Sequence, residues 1–73
     1  MSPKELGTAI RETRRKLGLR QDQLAAAANV GVRFIVDLEA GKSTAQVGKT
    51  LGVLNALGIK ISLIDTAPGE RGQ

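Results

Sequence analysis

Apolar residues recur along this chain in two different periods, and the change of period divides it. Leu6, Ile10, Thr13 and Leu17 return every three or four residues, which is the spacing of one helical face. Ahead of them, Ser2-Pro3-Lys4-Glu5 forms a capping box with proline at the first helical position, and Gly18 stands where a helix-ending glycine belongs. A second short helix opens at Gln21 and a third ends at Glu39, with Asn29-Val30-Gly31 as a turn between them. Ala40-Gly41-Lys42 closes the third helix through Gly41. Ser43-Thr44-Ala45-Gln46 reads as a second capping box, and the fourth helix turns Val47, Leu51, Leu54 and Leu57 inward before Gly58 stops it. Residues 59–64 then alternate, with Ile59, Ile61 and Leu63 on one face, which predicts a β-strand. Residues 65–73, carrying Pro68, Gly69 and Gly72, predict a disordered tail. The pattern is one mainly α domain over 1–64 with a C-terminal strand at 59–64.

Within it, residues 21–39 have the spacing of a helix-turn-helix, whose second helix enters the DNA major groove. Asn29 falls where the turn needs a left-handed backbone, which asparagine tolerates best after glycine. Ala25 is small where the second of the two helices must cross closely. At about 100° per residue, Phe34, Ile35 and Leu38 share one arc of that helix, and Val32, Arg33, Val36 and Asp37 share the opposite one. Two outward β-branched residues cost helix propensity and expose hydrocarbon. A groove reader gives all four a use: valine methyls against thymine methyl groups, Arg33 on guanine O6 and N7, and Asp37 accepting from cytosine N4. The alternative is that another part of the chain covers the valines.

Phosphate contacts have their own candidates. Arg20 sits where an N-cap Ser or Thr is expected, which forgoes about 1 kcal/mol of capping but places a cation beside Gln21 at a helix N-terminus. Gly31 lets backbone approach DNA closely, and Lys42 follows in a loop within reach of a phosphate. Lys4, Arg11 and Arg15 form a stripe on the first helix that serves equally as solvated surface or as a backbone contact.

Composition narrows the classes. The 73 residues make one small domain, marginal alone, and without Cys or His it lacks disulfides and the usual zinc ligands, which leaves a partner subunit as the staple. Phe34 is the sole aromatic residue, so there is no stacking platform for single-stranded nucleic acid. A net charge of +4 and a pI near 10.1 suit phosphate binding. With no His, no Cys, no glycine-rich phosphate loop and scattered carboxylates, no catalytic constellation can be named and no cofactor is implied, so an enzyme is not expected. No apolar run approaches 18 residues and no signal or lipidation motif is present, so the expectation is a cytoplasmic protein with no membrane partner.

A single strand leaves its ladder hydrogen bonds unmade, and pairing Ile59, Ile61 and Leu63 with the same strand of a second copy gives a symmetric dimer. Packing of that segment on its own domain is the alternative. Gly48, Gly52 and Ala56 make a small-residue row whose two glycines each cost roughly 1 kcal/mol relative to alanine. Either another backbone packs on the row or the helix bears the cost.

Gln21, Ala25, Ile35, Leu38 and the closing Leu38-Glu39-Ala40-Gly41-Lys42 resemble the phage-repressor (Xre/Cro-type) helix-turn-helix family over about residues 6–57. The ending Val53-Leu54-Asn55-Ala56-Leu57-Gly58, followed directly by the lone strand, is similar to HipB-like antitoxins. The resemblance implies a four- to five-helix domain whose C-terminal strands pair across a homodimer. It also implies a repressor that binds double-stranded operator DNA in its own promoter, and a HipA-like serine/threonine kinase toxin as partner. Carried onto this chain, the base readers are Val32, Arg33, Val36 and Asp37. Arg20, Asn29 and Gly31 depart from the family's more frequent Thr or Ser, Gly, and Ser or Thr. The competing class is a protein-interaction module that neutralises a toxin or contacts polymerase without binding DNA, using Val32 and Val36 as an apolar patch.

Overall fold

The computed structural model describes residues 2–42 and 46–59. Four helices follow one another: α1 (Pro3–Lys16), α2 (Gln21–Ala28), α3 (Val32–Glu39) and α4 (Val47–Ala56). The order contains the helix-turn-helix that the pattern predicts, in the phage-repressor-like form that the resemblance implies. The expected strand, apart from Ile59, and the tail lie outside the described residues, as do Ser43, Thr44 and Ala45 of the second capping box. Gln46 is the N-cap of α4, and its carbonyl accepts from the Thr50 amide at 3.1 Å and from the Thr50 hydroxyl at 3.2 Å.

Local chemistry sets the helix ends. At the start of α1 the Glu5 amide donates to the Ser2 hydroxyl at 3.1 Å and the Ser2 amide donates to the Glu5 carboxylate at 2.8 Å, the reciprocal bonds of a capping box. All four helices end on a left-handed residue: Gly18, Asn29, Gly41 and Gly58, with φ between 58° and 82°. At each end the next amide reaches back five residues, as Leu19 to Arg14, Val30 to Ala25, Lys42 to Asp37 and Ile59 to Leu54, so the last carbonyls are satisfied.

The core is aliphatic: Ile10 from α1, Leu24 and Ala25 from α2, Ile35 and Leu38 from α3, and Val53, Leu54 and the following Leu57. α2 packs on α3 and α4, and α1 packs on α3. The α1–α3 crossing is tight because Gly7 is buried beneath the carbonyls of Leu38 and Glu39. A Cβ at Gly7 would stand 2.8 Å from the Glu39 oxygen and closer to that of Leu38. The other end of the crossing is Gly41, where a Cβ would meet Lys4 Cα at 2.9 Å.

Three inward assignments from periodicity are corrected. Leu17 is 55% exposed, since α1 ends there and the chain turns to bring Leu19 against the core instead. Leu51 is 48% exposed because Val53, Leu54 and Leu57 centre the buried arc about 115° away from it. Val47 is 62% exposed because the buried residues of α4 all lie in its second half, and the first turn stands clear of them. The small-residue row has little above it: nothing lies within 4 Å of a Cβ at Gly48, and at Gly52 only the Ala28 carbonyl approaches, at 3.8 Å.

Candidate nucleic-acid interface

Residues 21–39 fold as α2, a turn and α3. Asn29 has φ 58° and ψ 46°, and the Val30 amide bonds the Ala25 carbonyl at 2.9 Å, which reverses the chain within one residue of the end of α2. Gly31, extended at φ −73° and ψ 152°, caps α3 in the absence of a side chain. Ala25, almost fully buried, lets α3 come close, and Ile35 and Leu38 fill the space beneath.

The opposite face of α3 is open. Val32 is 47% exposed, the Arg33 side chain is well exposed, and Val36 and Asp37 are half-buried. The structure thus brings the four expected base-reading residues onto one face, with Gly31 at its start and Lys42 just beyond its end. Phe34 turns away toward the core, and Lys49 of α4 lies over its ring at 5.9 Å.

Charges on this face are linked to one another. Asp37 Oδ1 stands 3.5 Å from Arg33 Nε and 3.5 Å from Lys42 Nζ. The Lys42 amide also donates to the Asp37 carbonyl at 3.1 Å, so Asp37 holds Lys42 by backbone and side chain together. At the start of α2, Arg20 Nε lies 3.1 Å from Asp22 Oδ1, and this hydrogen bond from Arg20 holds the Asp22 carboxyl below its ordinary pKa. The Gln23 side chain accepts from the Arg20 amide at 2.8 Å, while Arg20 itself makes no side-chain cap to the first turn of α2. Gln21 points elsewhere: its Nε2 donates to Glu39 Oε1 at 3.2 Å, leaving its helix-terminal backbone as the part free to face an anion.

That bond belongs to a network that sequence reasoning missed. Arg14 donates from Nε to Glu39 Oε2 at 2.6 Å, from Nη2 to Glu39 Oε1 at 3.1 Å, and from Nη1 to the Leu19 carbonyl at 2.8 Å. The Glu39 side chain is 4% exposed and that of Arg14 11%. One ion pair therefore ties α1 and the α1–α2 loop to the last residue of α3, and through Gln21 to the first residue of α2. It sets the angle at which α3 is presented. The Arg33–Asp37 pair was also not anticipated, although its i,i+4 spacing is a local signal that could have found it, whereas Arg14 and Glu39 are 25 residues apart and no local pattern links them.

Of the expected dimerisation residues, Ile59 is half-buried against the core of its own chain, and Ile61 and Leu63 lie outside the described residues. Among the described residues no cluster of three or more Asp or Glu could hold a metal ion, and no helix is long and apolar enough to cross a membrane.

The chain matches the helix-turn-helix family HTH_3 over residues 10–64 and belongs to that family. It is 56% identical over 70 residues to the uncharacterized HTH-type transcriptional regulator y4mF of Sinorhizobium fredii (strain NBRC 101917 / NGR234), covering 96% of this chain and 90% of that protein. The fold is that of a transcriptional regulator of this type. A chain of the structure described as "Structure of HipA-HipB-O2-O3 complex" superposes with a TM-score of 0.79 at 24% identity, covering 92% of this chain and 94% of that one. A chain of the structure named "MDT Protein" does so with the same TM-score and coverage at 22% identity. At these identities the two likenesses show the shared fold.

Proposed function

We propose that this protein is a sequence-specific double-stranded DNA-binding repressor that acts in the cytoplasm as a homodimer, autoregulates its own operon and serves as the antitoxin of a HipA-like kinase toxin. The carrying observation is the exposed face of α3, where Val32, Arg33, Val36 and Asp37 stand together between Gly31 and Lys42 on a helix whose other side is wedged into the core. In this reading the four side chains meet base edges, while Arg20, the N-terminal backbone at Gln21, Gly31 and Lys42 meet phosphates. The family membership supports DNA as the ligand, and the fold shared with a chain of the HipA–HipB complex supports the antitoxin role.

Dimerisation through Ile59, Ile61 and Leu63 places two reading helices on successive major grooves, which requires half-sites roughly 34–36 Å apart. If each subunit neutralises about three phosphates, the logarithm of affinity falls against that of salt with a slope near −5.

The test is light scattering of the purified protein alone and with its upstream promoter DNA at two salt concentrations, followed by Arg33→Ala. A dimer whose promoter binding weakens at high salt, and an Arg33→Ala loss of about 1–3 kcal/mol confined to the promoter sequence, support the repressor. A dimer indifferent to that DNA moves the function to a protein-interaction module, for which exposed Val32 is the contact. A monomer removes the dimer reading.

A further inference from the structure

The reading face of α3 carries a carboxylate where a phosphate-binding surface would be expected to carry none. Asp37 Oδ1 lies at 3.5 Å from both Arg33 Nε and Lys42 Nζ, so a single oxygen faces the two cations at either end of the face. Both cations are solvent-exposed, at 79% and 63% of the side chain, and neither is occupied by the core. The geometry is enforced on two sides. Arg33 is one helical turn before Asp37, and the Schellman bond from the Lys42 amide to the Asp37 carbonyl fixes where Lys42 begins. Gly41, pressed against Lys4 of α1, leaves that loop little freedom to move away.

From this we infer that Asp37 is a specificity-determining counter-charge: it holds Arg33 and Lys42 against itself and suppresses their binding to any nearby phosphate. The inference rests on the DNA reading of α3 and deepens it. On arbitrary DNA, a phosphate must compete with Asp37 for each cation, and the carboxylate itself is repelled by the duplex, so sequence-independent affinity is kept low. Where a cytosine amino group faces Asp37, the carboxylate exchanges its cations for that donor. Arg33 and Lys42 are then released to a guanine edge and a phosphate. Recognition of one base thereby switches on two further contacts, and a mismatch at that base loses all three.

The test compares Asp37→Asn with wild type and with Glu12→Gln, which makes the same charge change at an exposed residue of α1 that belongs to neither pair. Binding is measured to heparin, to random duplex DNA and to the promoter duplex, each over a salt series, with circular dichroism as the check on folding. One carboxylate offsets one unit of the charge that the two cations share, so removing it frees a net of one positive charge per subunit. The random-DNA salt slope then steepens by about 0.9 per subunit, which is roughly five-fold tighter binding per subunit near physiological salt. Asp37→Asn is expected to tighten random DNA and heparin by that amount, to gain less or lose on the promoter, and so to lower the ratio of specific to random binding. Glu12→Gln is expected to change each less than about two-fold, and most of the Asp37→Asn gain should be lost in an Arg33→Ala/Lys42→Ala background, leaving only the part due to direct repulsion of the carboxylate by the duplex. Equal effects of Asp37→Asn and Glu12→Gln on heparin and random DNA overturn the inference while leaving the repressor intact. Wild-type protein that binds no DNA in a salt-dependent way overturns the repressor reading instead, and the heparin comparison still decides whether Asp37 restrains the two cations.

Discussion

Replacing Arg14 by Met tests the account of how α3 is held. The substitution keeps most of the side-chain volume and removes the guanidinium from a network in which the Glu39 carboxylate is 4% exposed. Glu39 accepts from Arg14 at 2.6 and 3.1 Å and from Gln21 at 3.2 Å, so without Arg14 it keeps one weak neutral donor. It is also the last residue of α3, where the negative end of the helix dipole opposes a carboxylate. Breaking a buried pair on one side costs about 3–5 kcal/mol because an uncompensated charge is left behind. A chain of this length has a total stability of roughly 4–11 kcal/mol, so the loss is a large part of it. At about 4–8 °C per kcal/mol for a domain of this size, the midpoint should fall by some 12–40 °C. Urea and thermal unfolding followed by far-ultraviolet circular dichroism measure both quantities. The double variant Arg14→Met/Glu39→Leu removes both charges and should recover to near the wild-type value or above it. A loss below about 1 kcal/mol for Arg14→Met, the worth of an exposed ion pair, would refute the reasoning. Singles that simply add in the double variant would show that the two side chains are not coupled.

Two further predictions concern stability. Gly7→Ala should cost about 1–3 kcal/mol by urea denaturation, since its Cβ meets the Leu38 and Glu39 carbonyls, whereas Gly48→Ala in open space should gain about 1 kcal/mol. A Gly48→Ala variant that folds more stably but no longer dimerises would place a partner on that row. The Glu5 carboxyl is held below its usual pKa by the Ser2 backbone amide first, then by the Ser2 side chain and the N-terminal charge. Because the folded value is the lower one, the Glu5 charge contributes stability that is present above the unfolded pKa, near 4.5, and lost as pH falls through the depressed value. The difference in melting temperature between wild type and Glu5→Gln should therefore narrow below about pH 4; a gap unchanged down to pH 2 would contradict the capping role.

What could be read in the chain itself is what neighbours in sequence decide. Ser2 and Glu5 are three residues apart, and the left-handed positions at Gly18, Asn29, Gly41 and Gly58 follow from the backbone freedom of those residue types where an apolar period stops. The division of α3 into a buried Ile35 and Leu38 and an open Val32, Arg33 and Asp37 is a matter of angle around one short helix, and it too was legible.

Other features were settled only when the helices met. Periodicity states neither how far along α4 the core extends nor where its buried arc is centred, so Val47 and Leu51 read as core and stand in solvent. Gly7 carried no local signal, because its lack of a side chain matters only where the carbonyl end of α3 crosses above it. The Arg14–Glu39–Gln21 network joins three helices, and each member alone is an ordinary polar residue on a helix. Burial of that pair depends on the crossing of α1 and α3, and with it the angle at which the outward face of α3 is offered. Local propensity and angle chose the outward residues of α3; the tertiary crossing decided how they are held.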